Sequence, residues 1–173
     1  MIIDLITLEK SPYAFAYSFA PDEIGLDVET AKLKSVVKVE GELTKRIVQT
    51  DVEGEIFAEV ETECSRCLLT TDLKLEFSFE AAFITAENYT EAKEAQIKED
   101  DLDVSIFSGD EIDVKELVRE QILLNLPEQT FCREDCKGVC EKCGANRNLI
   151  DCNCEVKEVD PRWQGLRKLK IKN

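Results

Sequence analysis

The sequence predicts an α+β fold: an antiparallel β-sheet covered by a helix, followed by a cysteine-rich C-terminal segment. Three observations predict it. Apolar and charged residues alternate with period two between about residues 31 and 84. Apolar residues then recur at helical spacing between about 113 and 126. Six of the chain's eight cysteines fall between residues 132 and 154.

The elements follow in order. Residues 1 to 30 read as an irregular apolar lead-in, and "YAFAYSF", bracketed by Pro12 and Pro21, reads as an edge strand or an extended packing segment. "KLKSVVKVEGEL" alternates around Val37 and Val39. "EGEIFAEVETEC" sets Ile56, Ala58, Val60 and Thr62 against Glu55, Phe57, Glu59 and Glu61. "LKLEFSFEAAFI" sets Leu73, Leu75, Phe77 and Phe79 against Lys74, Glu76, Ser78 and Glu80. Period two with charge on one side means half-buried antiparallel strands. "CSRC" at 64 to 67 falls between the second and third of these strands, so both sulfurs can project from one hairpin tip.

Residues 85 to about 110 are acidic and read as a flexible loop, with room for a short strand near "VSIF". In "DEIDVKELVREQILLNLP", Asp113 suits a helix cap and Glu116 lies three residues on, as in a capping box. Val114, Leu117, Val118, Gln121, Leu124 and Leu126 keep helical spacing until Pro127 stops the run. This helix, about 113 to 126, is expected to cover the sheet. Asp160-Pro161 reads as a second helix start, with Trp163, Leu166 and Leu169 on one side. Arg162, Arg167, Lys168 and Lys170 fill most of the rest. The organisation expected is a β-rich core over residues 1 to 130 and a metal-binding segment with a basic helix over 131 to 173.

Composition narrows the chemistry. With 173 residues the chain can bury a core without cross-links, so its cysteines are not rescuing a mini-protein. "MIIDLITLEK" lacks the basic start of a secretory signal, and no apolar run reaches membrane length. Both point to the cytoplasm, where thiols stay reduced. The net charge is -15, with twelve acids against four bases between residues 87 and 120. The last thirteen residues hold five bases and no acid. An acidic body with a basic tail suits a basic protein partner, and equally a well-solvated surface. There is no histidine, which removes Ser-His-Asp and Cys-His catalysis.

Any soft-metal site must therefore be all cysteine. The spacings are C-x2-C at Cys64 and Cys67, C-x3-C-x3-C-x2-C at Cys132, Cys136, Cys140 and Cys143, and C-x-C at Cys152 and Cys154. Eight thiols make two four-cysteine zinc sites without remainder, each Zn²⁺ taking four sulfurs at about 2.3 Å. The simplest partition joins Cys140, Cys143, Cys152 and Cys154 across a short loop. It leaves Cys64, Cys67, Cys132 and Cys136 to tie the hairpin tip to the segment after the helix. Gly144 would allow the turn of a zinc knuckle at "CEKCG".

Three other chemistries stay open. A disulfide framework suits neither the compartment nor the closeness of Cys152 and Cys154. An iron–sulfur cluster is open because thiolates do not choose the metal, although only thirty residues follow the Cys136-x3-Cys140-x2-Cys143 run. Thiol redox catalysis at "CSRC" would use Arg66 to lower a thiol pKa, but leaves six cysteines unexplained. Arg133, Lys137, Lys142 and Arg147 lie among the cysteines, either to offset thiolate charge or to form a small basic surface.

Four motifs occur together and in order: "CSRCL", "LVREQILLNLP", "CKGVCEKCGANRN" before the C-x-C pair, and "DPRWQGLRKL". This set resembles the YceD family of bacteria and plastids over roughly residues 35 to 170. Glu141, where such knuckles often carry Pro, and Arg147, where an apolar residue is expected, depart from it. The resemblance implies a role in accumulation of large-subunit ribosomal RNA (23S), hence in 50S assembly, without a known enzymatic activity or catalytic residues. With that role, the acidic loop suits a basic ribosomal protein as partner and the basic tail suits large-subunit rRNA, or both, with Arg162, Arg167, Lys168 and Lys170 as possible contacts; no membrane or small-molecule substrate is expected. The rivals are a thiol-redox or metal-dependent enzyme and a zinc-organised adaptor unrelated to ribosomes.

Overall fold

Alternation along the chain becomes a meander of long strands. The computed structural model describes residues 1–8, 10–85, 104–107, 111–154 and 162. Its elements in chain order are β1 (Ile2–Asp4), β2 (Tyr13–Phe19), β3 (Ala31–Leu33), β4 (Val37–Lys45), β5 (Gln49–Glu63), β6 (Thr70–Thr85), β7 (Val104–Phe107), β8 (Glu111–Asp113) and α1 (Val114–Asn125). The main sheet runs β2-β4-β5-β6-β7, with β3 beside β5, and β1 pairs β8 in a small second sheet. All described pairings are antiparallel except β6 with β7, which is parallel.

The inward positions are those that alternation predicts. Val37, Val39, Ile56 and Val60 are fully buried, and Leu75 and Phe79 nearly so. The β5–β6 hairpin is the spine, in register from Gln49↔Ile84 to Glu63↔Thr70. It ends at the "CSRC" turn, so the hairpin tip expected there is present.

The lead-in is more ordered than its pattern suggests. β2 lies at a sheet edge against β4, with Phe15 and Phe19 turned inward. Ile3, Leu5, Ile24 and Leu26 belong to the core. The β1 partner lies more than a hundred residues away at Ile112, a pairing that local periodicity cannot reveal.

α1 starts where the capping pattern places it. The Asp113 carboxylate accepts from the Lys115 amide at 2.9 Å, and the Val114 amide donates to the Met1 carbonyl. Glu116 pairs with Arg119 at 3.0 Å. The buried stripe is Val114, Leu117, Val118 and Ile122, each contributing about 1.5–3 kcal/mol by burial. Leu124, expected inside, is exposed. At 3.6 residues per turn it lies about 160° around the axis from Ile122, and Ile122 takes the buried place. The helix stops at Leu126, whose extended backbone suits the following Pro127.

The flexible loop expected at 85 to 110 lies outside the described residues, apart from Thr85 and β7, the short strand at "VSIF". The second helix expected from Asp160 also lies outside them, apart from Arg162. No helix among the described residues is long and apolar enough to cross a membrane.

Candidate metal centres

Two C-x2-C turns carry half of the cysteines. The first spans the gap between β5 and β6. The Cys64 amide donates to the Leu69 carbonyl and the Leu68 amide to the Cys64 carbonyl, both at 2.9 Å. The second turn repeats this. The Cys140 amide donates to the Ala145 carbonyl and the Gly144 amide to the Cys140 carbonyl, both at 2.8 Å. The residue after the second cysteine is left-handed in each, Leu68 at φ 60° and Gly144 at φ 71°.

The segment after α1 returns to the first turn. The Ser65 amide donates to the Thr130 carbonyl at 2.8 Å, and the Thr130 amide donates to Ser65 Oγ at 3.1 Å. Arg66 Nη1 donates to the Glu134 and Cys136 carbonyls at 3.0 and 3.1 Å, and its guanidinium lies over the Phe131 ring. The Val139 amide donates to the Arg66 carbonyl at 3.0 Å. The Arg66 guanidinium is thus engaged in joining two segments, not aimed at activating a thiol.

These contacts bring Cys64, Cys67, Cys132 and Cys136 together, their sulfurs all within 4.8 Å of one another. Cys64 and Cys136 sulfurs are 3.8 Å apart, and Cys67 and Cys132 sulfurs 3.6 Å. Cys140, Cys143, Cys152 and Cys154 form a second group of the same compactness. This is the division that spacing suggests. All eight are free thiols, and the separations are too long for a disulfide. Four sulfurs at about 2.3 Å from a tetrahedral ion would lie about 3.8 Å apart, so both groups could hold a metal ion.

Asn148 links the groups, and the sequence offers no signal for that. Its Nδ2 donates to Cys136 Sγ at 3.3 Å. Its Oδ1 accepts from Arg133 Nη2 at 2.7 Å and from the Lys137 amide at 2.8 Å. Arg133 therefore reaches a sulfur through one intermediary. Lys137 and Lys142 supply backbone amides, the Lys142 amide reaching Cys140.

The thiols do not titrate alike. Burial acts most strongly on Cys64 and upward, but the amides of Cys132, Arg66 and Cys67 outweigh it and bring the thiol down to about 6. Burial also raises Cys136, and the Asn148 side chain and Gly138 amide reverse it. Burial and the neighbouring sulfurs push Cys132 up to about 12. The Leu69 amide pulls Cys67 down, yet burial and the Cys64 and Cys136 sulfurs leave it raised. In the second group the amides of Cys143 and Lys142 lower Cys140 to about 6. The Cys140 sulfur chiefly raises Cys152, and the Cys143 and Cys140 sulfurs push Cys154 up to about 12. Each group holds thiolates beside thiols whose protons a divalent cation would displace.

Comparison with known proteins now decides the family. The family model described as "Large ribosomal RNA subunit accumulation protein YceD" matches residues 52–170, which take in both sulfur groups. The chain belongs to the YceD family. It is similar to the uncharacterized protein YlbN of Bacillus subtilis, 33% identical over 169 residues that cover 97% of this chain and 94% of the other. It is 24% identical to the uncharacterized protein Rv2926c of Mycobacterium tuberculosis, over 96% of this chain and 79% of the other. A YceD protein of Arabidopsis thaliana, named large ribosomal RNA subunit accumulation protein YCED homolog 1, chloroplastic, is 37% identical over 60 residues, 35% of this chain and 19% of its own. No solved structure matches. Of the basic residues expected to contact a partner, Arg162 is exposed, and Arg167, Lys168 and Lys170 lie outside the described residues.

Proposed function

We propose that the chain is a non-catalytic factor in ribosome biogenesis. It would support accumulation of 23S rRNA and assembly of the 50S subunit from the cytoplasm. Two structural zinc ions would be held by Cys64, Cys67, Cys132 and Cys136, and by Cys140, Cys143, Cys152 and Cys154. Bound zinc supplies four bonds per site and offsets thiolate charge. The observation that carries the reading is the family match across both compact four-sulfur groups. An all-thiolate closed site leaves no open position for a substrate, which supports a role without catalysis.

The partner we favour is a basic ribosomal protein. Pairing across the outer sheet face sets Glu40 opposite Glu55, Glu42 opposite Glu53, and Glu53 opposite Glu80. Like charges placed directly opposite cost sheet stability and would repel RNA phosphates. Arg162 and the basic positions 167, 168 and 170 are the candidate RNA contacts, and their binding would be salt-sensitive.

Two measurements test the proposal. Ribosomal subunit profiles of cells lacking the protein should show a deficit of 50S particles and 23S rRNA, restored by the wild-type chain. A normal profile would remove the ribosomal role and leave the adaptor reading. Metal analysis of protein purified without added metal should return two zinc per chain. Iron in place of zinc would redirect the cofactor assignment, and tight RNA binding at physiological salt without a partner would overturn the preference for protein.

A further inference from the structure

The two sulfur groups differ in what protects them. In the first, Cys64, Cys67 and Cys136 are 0%, 4% and 5% exposed, and the turn closes the β5–β6 hairpin. Its four positions come from both sides of α1, and the Ser65–Thr130 and Arg66–Val139 backbone bonds hold the two segments together. In the second, Cys143 and Cys154 are exposed and Cys140 and Cys152 half-buried. All four come from one fifteen-residue stretch. Its backbone support is two turns, Cys140–Ala145 and Asn146–Ile150, and the isolated bridge of Val139 with Asn146. Residues 151 to 154 form no helix or strand. A Cβ added at Gly144 would meet nothing within 4 Å, so the turn is open at that position.

From this asymmetry we infer that the 140–154 group is an oxidation-sensitive metal site, with Cys143 and Cys154 as the modified pair. The inference rests on the zinc reading above. Access and thiolate character decide which cysteines oxidise, and metal-bound sulfurs are thiolates in both groups. Access therefore separates them. The Cys143 and Cys154 sulfurs lie within 4.8 Å, so a short movement of an unstructured stretch brings them to bonding distance. The oxidant is a peroxide. One thiolate attacks the peroxide, the O–O bond breaks, and a sulfenic acid forms. The second thiolate attacks that sulfur, the S–S bond forms, and the oxygen leaves as water. Two electrons pass from sulfur to peroxide, and two protons from solvent complete two waters. The ion, left with Cys140 and Cys152, dissociates, and those sulfurs take up protons. The first group stays closed, so the sheet and α1 remain folded while the surface around 140–154 opens.

The test is hydrogen peroxide titration of the full-length zinc-loaded protein, with a chromophoric chelator reporting release and alkylation with mass mapping reporting the thiols. One equivalent of zinc should leave about tenfold or more faster than the second, given the difference in access. A Cys143–Cys154 disulfide should appear while circular dichroism is unchanged. The double variant Cys143→Ser/Cys154→Ser should lose the fast phase and keep the ion of the first group. Simultaneous release, release first from the 64–136 group, or no release overturns the inference. A preparation without bound metal overturns the zinc reading instead. Thiol mapping of that preparation still decides whether Cys143 and Cys154 oxidise before Cys64 and Cys136.

Discussion

The turn at Cys64–Leu69 and the turn at Cys140–Ala145 share one hydrogen-bond pattern and sit in opposite surroundings. The first closes a hairpin of two strands of 15 and 16 residues, and its sulfurs meet a segment that has travelled around α1. The second meets only sulfurs from its own neighbourhood. The difference teaches that a metal turn has no fixed energetic weight. Closing a loop of about seventy residues restricts the unfolded chain more than closing one of fifteen, and the buried group also anchors Thr130, Phe131 and Glu134 to the sheet end. The first group is therefore part of the fold, and the second decorates it.

The largest expected effect breaks this comparison directly. Cys67→Ser removes a ligand of the buried group, and the melting temperature should fall by about 10 °C or more. Cys143→Ser removes a ligand of the exposed group, and the same measurement should move by less than about 3 °C. Calorimetry on both variants checks it. Equal shifts would mean that the two groups fold as one unit.

Two glycines with the same backbone sharpen the contrast. Gly138 and Gly144 have φ near 72° and 71°. A Cβ at Gly138 would lie 2.9 Å from the Arg66 carbonyl oxygen, in the seam between the segments. Gly138→Ala should cost about 2–3 kcal/mol, from left-handed strain and a clash with backbone. Gly144→Ala carries only the strain, about 1 kcal/mol. Urea unfolding of the zinc-loaded forms measures both, and equal costs would show that the seam yields.

The sequence displays some of this and hides the rest for physical reasons. Alternation exposes β4, β5 and β6 because each has one face in the core. Ile2–Asp4 is hidden because its partner Glu111–Asp113 is distant in sequence. Helix spacing marks α1 but not which of Ile122 and Leu124 faces inward, since the sheet decides that. The grouping of Cys140 with Cys143, Cys152 and Cys154 is legible because fifteen residues leave few alternatives. The joining of Cys64 and Cys67 to Cys132 and Cys136 depends on how the chain turns around α1. Asn148 looks like any turn residue until its neighbours are placed, and Leu68 carries no turn signal at all.

Asn148 offers a smaller, more pointed test, because it stands between the groups. Replacing it by Ala removes the bond to Cys136 and takes one acceptor each from Arg133 Nη2 and the Lys137 amide, Arg133 keeping its ion pair with Asp135. The expected cost is about 1–2 kcal/mol. The loss should appear as faster zinc exchange at the buried group, with the exposed group unchanged. If the exposed group exchanges faster instead, Asn148 belongs to the local turn and the two centres are less separate than their burial suggests.

Leu68 gives the smallest effect and the cleanest sign. It occupies the position that Gly144 fills in the other turn, at φ 60° and 63% exposed. A branched apolar residue there carries about 1 kcal/mol of left-handed strain, and its exposed side chain recovers little by burial. Leu68→Gly removes the strain and adds backbone entropy to the unfolded chain, which offsets part of the gain. The variant should be more stable by about 0.5 kcal/mol, read as a later urea midpoint at unchanged slope. A loss of stability would show that Leu68 has a packing role in the folded chain. An unchanged midpoint with weaker partner binding would show that the strain is kept to present an apolar side chain at the tip of the buried centre.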